Sequence, residues 1–392
     1  MSLKDDFVLV LRYISGRKLR SWLTILGVVI GVASIVALVS VSQSLQASVE
    51  EQFEAFGTDK VMIYASSDVP GFGTGLNEDD VDIIDGIADF EYVSGILFKS
   101  CKIEYKDEID NVYCMGFPSD KAKREFEEFG IDFDEGRAFE TDSNKVVIGP
   151  RLAYDVFEKK ISVKNKIEVE GEKFEVVGIV ESLGNPEDDS NVYMPLEEMR
   201  DLFKDEEGIS YITAKVKPGI DIEEAAEKVK KELKKVRSEE SFDAVTADQL
   251  LEQMGAILDI LQVMLVGIAT ISLVVGSVGI ANSMYTSVLE RVKDIGIMKA
   301  VGAPNHEIIA IFLIEASLIG FVGGIIGVAF GTLIAFFIGV SAEQAGFGIL
   351  KVSIESWVMA FGLAFAVIIG MISGFMPARK AAKLKPVDAL KK

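Results

Sequence analysis

Four apolar runs without a charged side chain constrain this chain more than any other feature. They cover residues 22–41, 260–289, 316–342 and 356–378, and are 20, 30, 27 and 23 residues long. About 20 apolar residues at roughly 1.5 Å rise cross a hydrocarbon core of about 30 Å. Every run meets that length, and such runs are rare in soluble proteins. The expected fold class is therefore a membrane α-helical protein with four transmembrane helices. The long charged stretch between the first two spans reads as an inserted soluble domain. Composition fits this division, since the 392 residues are 49% hydrophobic yet 26% charged.

Short loops rich in Lys and Arg stay cytoplasmic, which gives an expected orientation. Lys4, Arg12, Arg17, Lys18 and Arg20 precede the first run, and Arg379, Lys380, Lys383, Lys385, Lys391 and Lys392 follow the last. Arg291, Lys293 and Lys299 lie between the second and third. Both termini are thus expected in the cytoplasm, at the cell membrane. Residues 44–256 carry 51 acidic against 25 basic side chains and should face outward. A cleaved signal peptide fits poorly, because the first run is too long and no A-x-A site follows it.

The expected boundaries are an interfacial helix over 1–21, where Phe7, Leu11 and Ile14 meet membrane lipid, then a first span over 22–43. The extracytoplasmic domain occupies 44–256 and the second span 257–286. A cytoplasmic helix follows over 287–304, then a third span over 305–340. An outer loop over 341–355, a fourth span over 356–377 and a basic tail over 378–392 complete the chain. Leu45, Val49, Phe53 and Phe56 continue a helical stripe beyond the first span, and Leu250, Met254, Ile257 and Leu261 approach the second. These stripes are expected to pair as a two-helix stalk.

The inserted region reads as α+β. Strands are expected at 61–65, 146–148, 166–169, 174–180 and 211–216. One helix should start at the cap residue Asn77. Another should follow the stripe Ile222, Ala226, Val229, Leu233 and Val236. Cys101 and Cys114 are the only cysteines, and both fall in the segment expected outside. With strands at 97–105 and 110–117 and a turn at 106–109, Tyr105 would face Asp110. Cys101 would then lie directly opposite Cys114, within reach of a disulfide.

Several chemistries find no support. The net charge of −21 argues against nucleic acid as a partner. The glycine-rich stretch Pro70-Gly71-Phe72-Gly73-Thr74-Gly75 lacks the Walker pattern and its lysine. His306 is the one histidine, so neither a catalytic triad nor a zinc site can be assembled. Glu187-Asp188-Asp189 reads as a solvated turn rather than a cation site. No catalytic residue, metal ligand or cofactor is expected in this chain. Glu315 is an ionisable group inside an apolar run, a costly placement that calls for a protein partner. It could be structural glue or part of a coupling route. Gly323, Gly327 and Gly331, with Gly320 and Gly324 beside them, clear a face for close helix packing.

The segment between the second and third runs reads Glu290-Arg291-Val292-Lys293-Asp294-Ile295-Gly296-Ile297-Met298-Lys299-Ala300-Val301-Gly302-Ala303. It resembles the E-R-x-x-E-I-G-I-x-K-A-x-G-A signature of FtsX/MacB-like ABC permeases, with Asp294 where Glu is usual. Residues 17–27 and 377–390 are similar to that family's entry and exit patterns. Residues 146–157 and 174–195 are similar to the outer-domain core of its MacB branch. The resemblance implies a permease subunit, probed at Glu290, Arg291, Asp294, Ile295, Gly296, Met298, Lys299, Ala300, Gly302 and Ala303 by a separate ABC ATPase. The apolar face of this helix would fill a cleft in the ATPase, with Gly296 allowing close approach. Two permeases would pair as a homodimer. Movement driven by ATP would then pass to the outer domain and export or extract a lipoprotein, lipid, peptide or drug. The alternative is a signalling adaptor that activates an extracellular hydrolase and transports nothing.

Overall fold

The computed structural model describes residues 18–65, 75–140, 144–237, 242–348, 350 and 352–390. The expected interfacial helix and most of the glycine-rich stretch lie outside these residues. In chain order, α1 (Lys18–Phe56) leads into β1 (Lys60–Ala65), α2 (Glu78–Asp85), β2 (Phe90–Tyr105) and β3 (Glu108–Phe117). Next come α3 (Ala122–Glu128), β4 (Phe133–Gly136), β5 (Lys145–Ile148), α4 (Pro150–Tyr154), β6 (Lys166–Val169) and β7 (Glu172–Val180). Then β8 (Val192–Pro195), α5 (Leu196–Phe203), β9 (Tyr211–Val216), α6 (Ile222–Leu233) and β10 (Phe242–Thr246) complete the inserted region. The rest is helical: α7 (Ala247–Glu290), α8 (Val292–Ala300), α9 (Asn305–Gln344), α10 (Ser356–Ala382) and α11 (Pro386–Leu390).

Contacts divide the chain into two compact units. One holds the helices through Gln46, Ile257–Ser341 and the chain from Lys351. Its four long helices, α1, α7, α9 and α10, carry the apolar runs. They meet through glycine. A Cβ on Gly327 would lie 2.8 Å from Val32 Cβ, and one on Gly331 2.7 Å from the Ala33 carbonyl oxygen, so α9 presses on α1. On the other side of α9, a Cβ on Gly320 would lie 2.4 Å from the Ala366 oxygen of α10. Gly27 and Gly276 bring α1 and α7 equally close, at 3.0 Å. The glycine face thus packs inside one protomer. Outward positions stay apolar, as in Val263, Ile271 and Val275 of α7, which are 72%, 67% and 65% exposed. Such faces suit lipid, where apolar surface carries no penalty.

The second unit comprises Ala47–Ala256 together with Ala342–Leu350. Its strands form one sheet in the order β10-β1-β9-β2-β3-β8-β5-β7-β4, with β6 bridging β2 and β7. The long β2 joins two lobes, because residues 90–96 pair with β9 and residues 97–105 with β3. In the first lobe Val61, Ile63, Ile212 and Ala214 are buried in one core with Val229 and Leu233 of α6. Helix α2 opens with a capping box, in which Asn77 Oδ1 accepts from Asp80 N–H and Asp80 Oδ2 from Asn77 N–H. Helix α6 ends at Leu233, so Val236 falls off the expected stripe and is 63% exposed. In the second lobe Phe117, Phe126 and Tyr193 fill an aromatic centre.

The β2–β3 hairpin corrects the expected register. Lys106 and Asp107 both adopt positive φ, at 49° and 71°, and form a two-residue turn instead of a four-residue one. Positive φ at both central residues is the mark of a type I′ turn, whose twist matches the flanking strands where types I and II would splay them. Tyr105 therefore faces Glu108, Cys101 faces Val112, and Cys114 faces Lys99. The slip is two residues, so the cysteines keep a common face and become diagonal neighbours. They are joined in a disulfide with Cα atoms 5.8 Å apart.

The segments expected to form the stalk are helical. Both α1 and α7 run unbroken past their apolar runs, for 39 and 44 residues. Along their stripes Val49 and Leu250 are half-buried, while Leu45, Met254, Ile257 and Leu261 are 39%, 38%, 60% and 48% exposed. The packed face of α1 carries Ser40, Ser44 and Ser48 instead. Ser44 Oγ donates to the Ser40 carbonyl and accepts from Ser353 N–H at 3.0 Å. The side chains of Phe53 and Phe56 lie outside the described set.

Candidate coupling site

Helix α7 ends at Glu290, and one residue later α8 starts, so the chain turns at Arg291. The turn is held by charge. Arg291 Nη1 donates to Glu315 Oε2 at 3.1 Å and Nη2 to Oε1 at 3.3 Å. Ser287 Oγ donates to the same Oε1 at 3.2 Å. Glu315 is buried on α9, and the forked guanidinium supplies the partner that its carboxylate needs. Glu315 thereby links α7, the signature turn and α9.

Ile295 anchors α8 from the other side. It is fully buried with Ile308 and Phe312 of α9 and Ala378, Ala381 and Ala382 of α10. Lys299 Nζ donates to the Ala382 carbonyl, and Met298 is half-buried on the same cluster. The helix stops in a Schellman arrangement. Gly302 N–H donates to the Lys299 oxygen and Ala303 N–H to the Met298 oxygen, with Gly302 at φ 103°. A side chain there would be strained, which explains the glycine.

Ile295 and Gly296 are consequently turned inward, not toward a partner as expected. The apolar side chains left outside on α8 and its cap are Ile297 and Val301, 48% and 85% exposed. They are four residues apart and share one face. Lys293, Asp294 and Ala300 are exposed as well, as are Glu290 and Gly302, while Ala303 is half-buried. Helical spacing marked the apolar positions but gave no sign of which face the protomer itself would cover. The partner of Glu315 was missed because its contact spans the turn between two helices. The only available signal was one acid in an apolar run near one basic turn.

Asp189, from the acidic triplet, has a structural role. Its Oδ1 accepts from Leu183 N–H and its Oδ2 from Ser182 Oγ, each at 2.6 Å. No group of three or more His, Cys, Asp or Glu side chains suited to a metal occurs among the described residues.

Four spans, an α+β domain inserted between the first two, and a capped helix between the second and third define a multi-pass permease architecture. Residues 21–232 match the family model of the MacB-like periplasmic core domain, and residues 266–386 match the FtsX-like permease C-terminal model. An uncharacterized ABC transporter permease of Methanocaldococcus jannaschii is 36% identical over 100% of this chain and 98% of its own length. A macrolide export ATP-binding/permease protein MacB of Salmonella choleraesuis is 30% identical over 96% of this chain, which spans 59% of that relative's length. The periplasmic region of MacB from Actinobacillus actinomycetemcomitans aligns with 53% of this chain and 97% of its own, at 16% identity and a TM-score of 0.45. The chain belongs to the family of FtsX-like, MacB-like ABC transporter permeases.

Proposed function

We propose that this permease takes up movement from a separate ABC ATPase at α8 and passes it through α1 and α7 to the inserted domain, exporting or extracting a substrate there. The observation that carries this reading is the two-sided character of α8. Ile297 and Val301 are free to meet a partner, while Ile295, Lys299 and the Arg291–Glu315 pair tie the opposite side to α7, α9 and α10. A push on the exposed face therefore reaches three long helices at once. Basic residues near Arg291 and Arg379 support a cytoplasmic site for α8 and for both termini. The inserted domain then works outside, and two copies assemble around two ATPase subunits.

The test is a double substitution, Ile297→Asp with Val301→Asp, co-expressed with the partner ABC ATPase. Both side chains are exposed, so the permease should fold normally yet lose co-purification with the ATPase. Full complex formation and normal ATP turnover would remove α8 as the docking site.

A further inference from the structure

The two lobes of the inserted domain leave a cavity where they meet. Its volume is about 380 Å³, within the range of small-molecule sites. Strand alternation explains its lining. Val61 and Ile63 point into the helix-covered core, so Met62 and Tyr64 point to the opposite face, beside Tyr211. Across the shared β2, the second lobe contributes Phe98, Met115 and Tyr193. The walls are mainly aromatic rings and thioethers, adaptable apolar surfaces for a ligand body.

Two polar groups break this apolar lining. Asn191 is 2% exposed, and its Oδ1 has no hydrogen-bond partner among the described residues. Asp188 also lines the cavity, and its Oδ2 accepts from Asn185 Nδ2 at 3.1 Å. Burial, followed by the like charges of Asp189 and Glu187, pushes its carboxyl above the usual range. Among the described residues Asp188 makes no ion pair. The cavity therefore offers two acceptors and no compensating cation. An orphaned buried acceptor is costly, and a purely apolar occupant would worsen the position of Asp188. An occupant carrying positive charge and an N–H donor would satisfy both groups, and its cation would also meet aromatic faces.

We propose that this cavity binds a cationic amphiphile, with its apolar body among Phe98, Met115, Tyr193 and Tyr211 and its ammonium-type head at Asp188 and Asn191. The site deepens the export reading by assigning a substrate class to the inserted domain. It is read by binding alone, without the ATPase, so its failure leaves docking at α8 untouched.

Rhodamine 6G, a cationic amphiphile with N–H donors, is titrated against the full chain in phosphatidylcholine nanodiscs by fluorescence anisotropy, with empty nanodiscs as background. Neutral Nile red serves as the uncharged comparison. Saturable rhodamine binding is expected. A charged hydrogen bond is worth enough that Asp188→Asn should weaken that binding by roughly tenfold or more. The same change should not weaken Nile red binding, and the thermal transition should not fall. Asp188→Glu should retain rhodamine binding, and Met115→Trp, which fills the cavity, should abolish it. Rhodamine uptake no greater than in empty nanodiscs would overturn the site. Saturable binding indifferent to Asp188→Asn would overturn the cationic assignment.

Discussion

The two units of this chain close their interiors by opposite means. The membrane unit is assembled around missing side chains: Gly27, Gly320, Gly327 and Gly331 let helices touch backbone to backbone. The inserted domain is assembled around large ones, with Phe117, Phe126 and Tyr193 fully buried in one cluster. The solvent explains the contrast. Lipid gives apolar side chains no reason to leave it, so helices associate through close van der Waals contact. In water, burial of aromatic area drives the domain together. The membrane unit should therefore break when atoms are added, and the domain when they are removed.

The largest effect should come from reversing these rules. Gly320→Ile places a side chain where the first carbon already lies 2.4 Å from the Ala366 oxygen, and should prevent stable assembly of α9 with α10. Phe126→Ala should cost the domain about 3–5 kcal/mol by leaving a cavity. Detergent-extracted protein separates the two outcomes, since the first variant loses monodispersity and the second lowers the melting temperature. A mild response to Gly320→Ile would mean that the helices slide apart readily, and the contrast would fail.

A smaller effect concerns the hairpin staple. Cys101 and Cys114 are both buried, so protein purified without reductant should show no alkylated thiol. Cys101→Ser with Cys114→Ser should lower domain stability by up to about 3 kcal/mol, given the short loop. Helix packing in the membrane unit should not change.

The smallest effect sharpens the account of the domain. Glu125 is buried, and Tyr92 O–H donates to its Oε1. Burial holds its carboxyl above the usual range, against the hydrogen bond of Tyr92 and the charge of Lys121. The folded state thus keeps a proton that the unfolded chain gives up. Stability should fall as pH rises from the ordinary glutamate range through the raised value. Glu125→Gln keeps an acceptor for Tyr92 and should flatten that decline, as read from melting temperature against pH. An identical pH profile in the variant would show that the carboxyl titrates normally.

Legibility followed the same division between units. Lipid imposes a length rule, so uncharged runs alone located all four long helices. The domain obeys shorter signals. Asn77 announced its helix through a local cap, and alternation announced the strands at 166–169 and 174–180. Pairings set by tertiary context were not legible. The 16-residue β2 gives no local sign that it serves two lobes. The cysteine pair was readable to the correct face, since a slip of two preserves alternation, but its register depended on turn length. At the coupling site, spacing located α8, while burial by α9 and α10 decided that Ile295 points inward and Ile297 outward. The cavity left no trace in sequence, because its lining comes from separate strands and loops.

The central claim is that movement at α8 reaches the inserted domain. Glu227 is exposed on α6 and accepts a spin label as Glu227→Cys, since both native cysteines are tied in the disulfide. Electron–electron distances between the two labelled copies are measured in the complex with its ATPase, before and after trapping with ATP and vanadate. The account predicts a shifted distance distribution on trapping. It predicts no shift when Gly-Gly-Ser-Gly is inserted between Gln46 and Ala47, which interrupts α1 while leaving α8 intact. The same distribution in every state of the uninterrupted protein would contradict it.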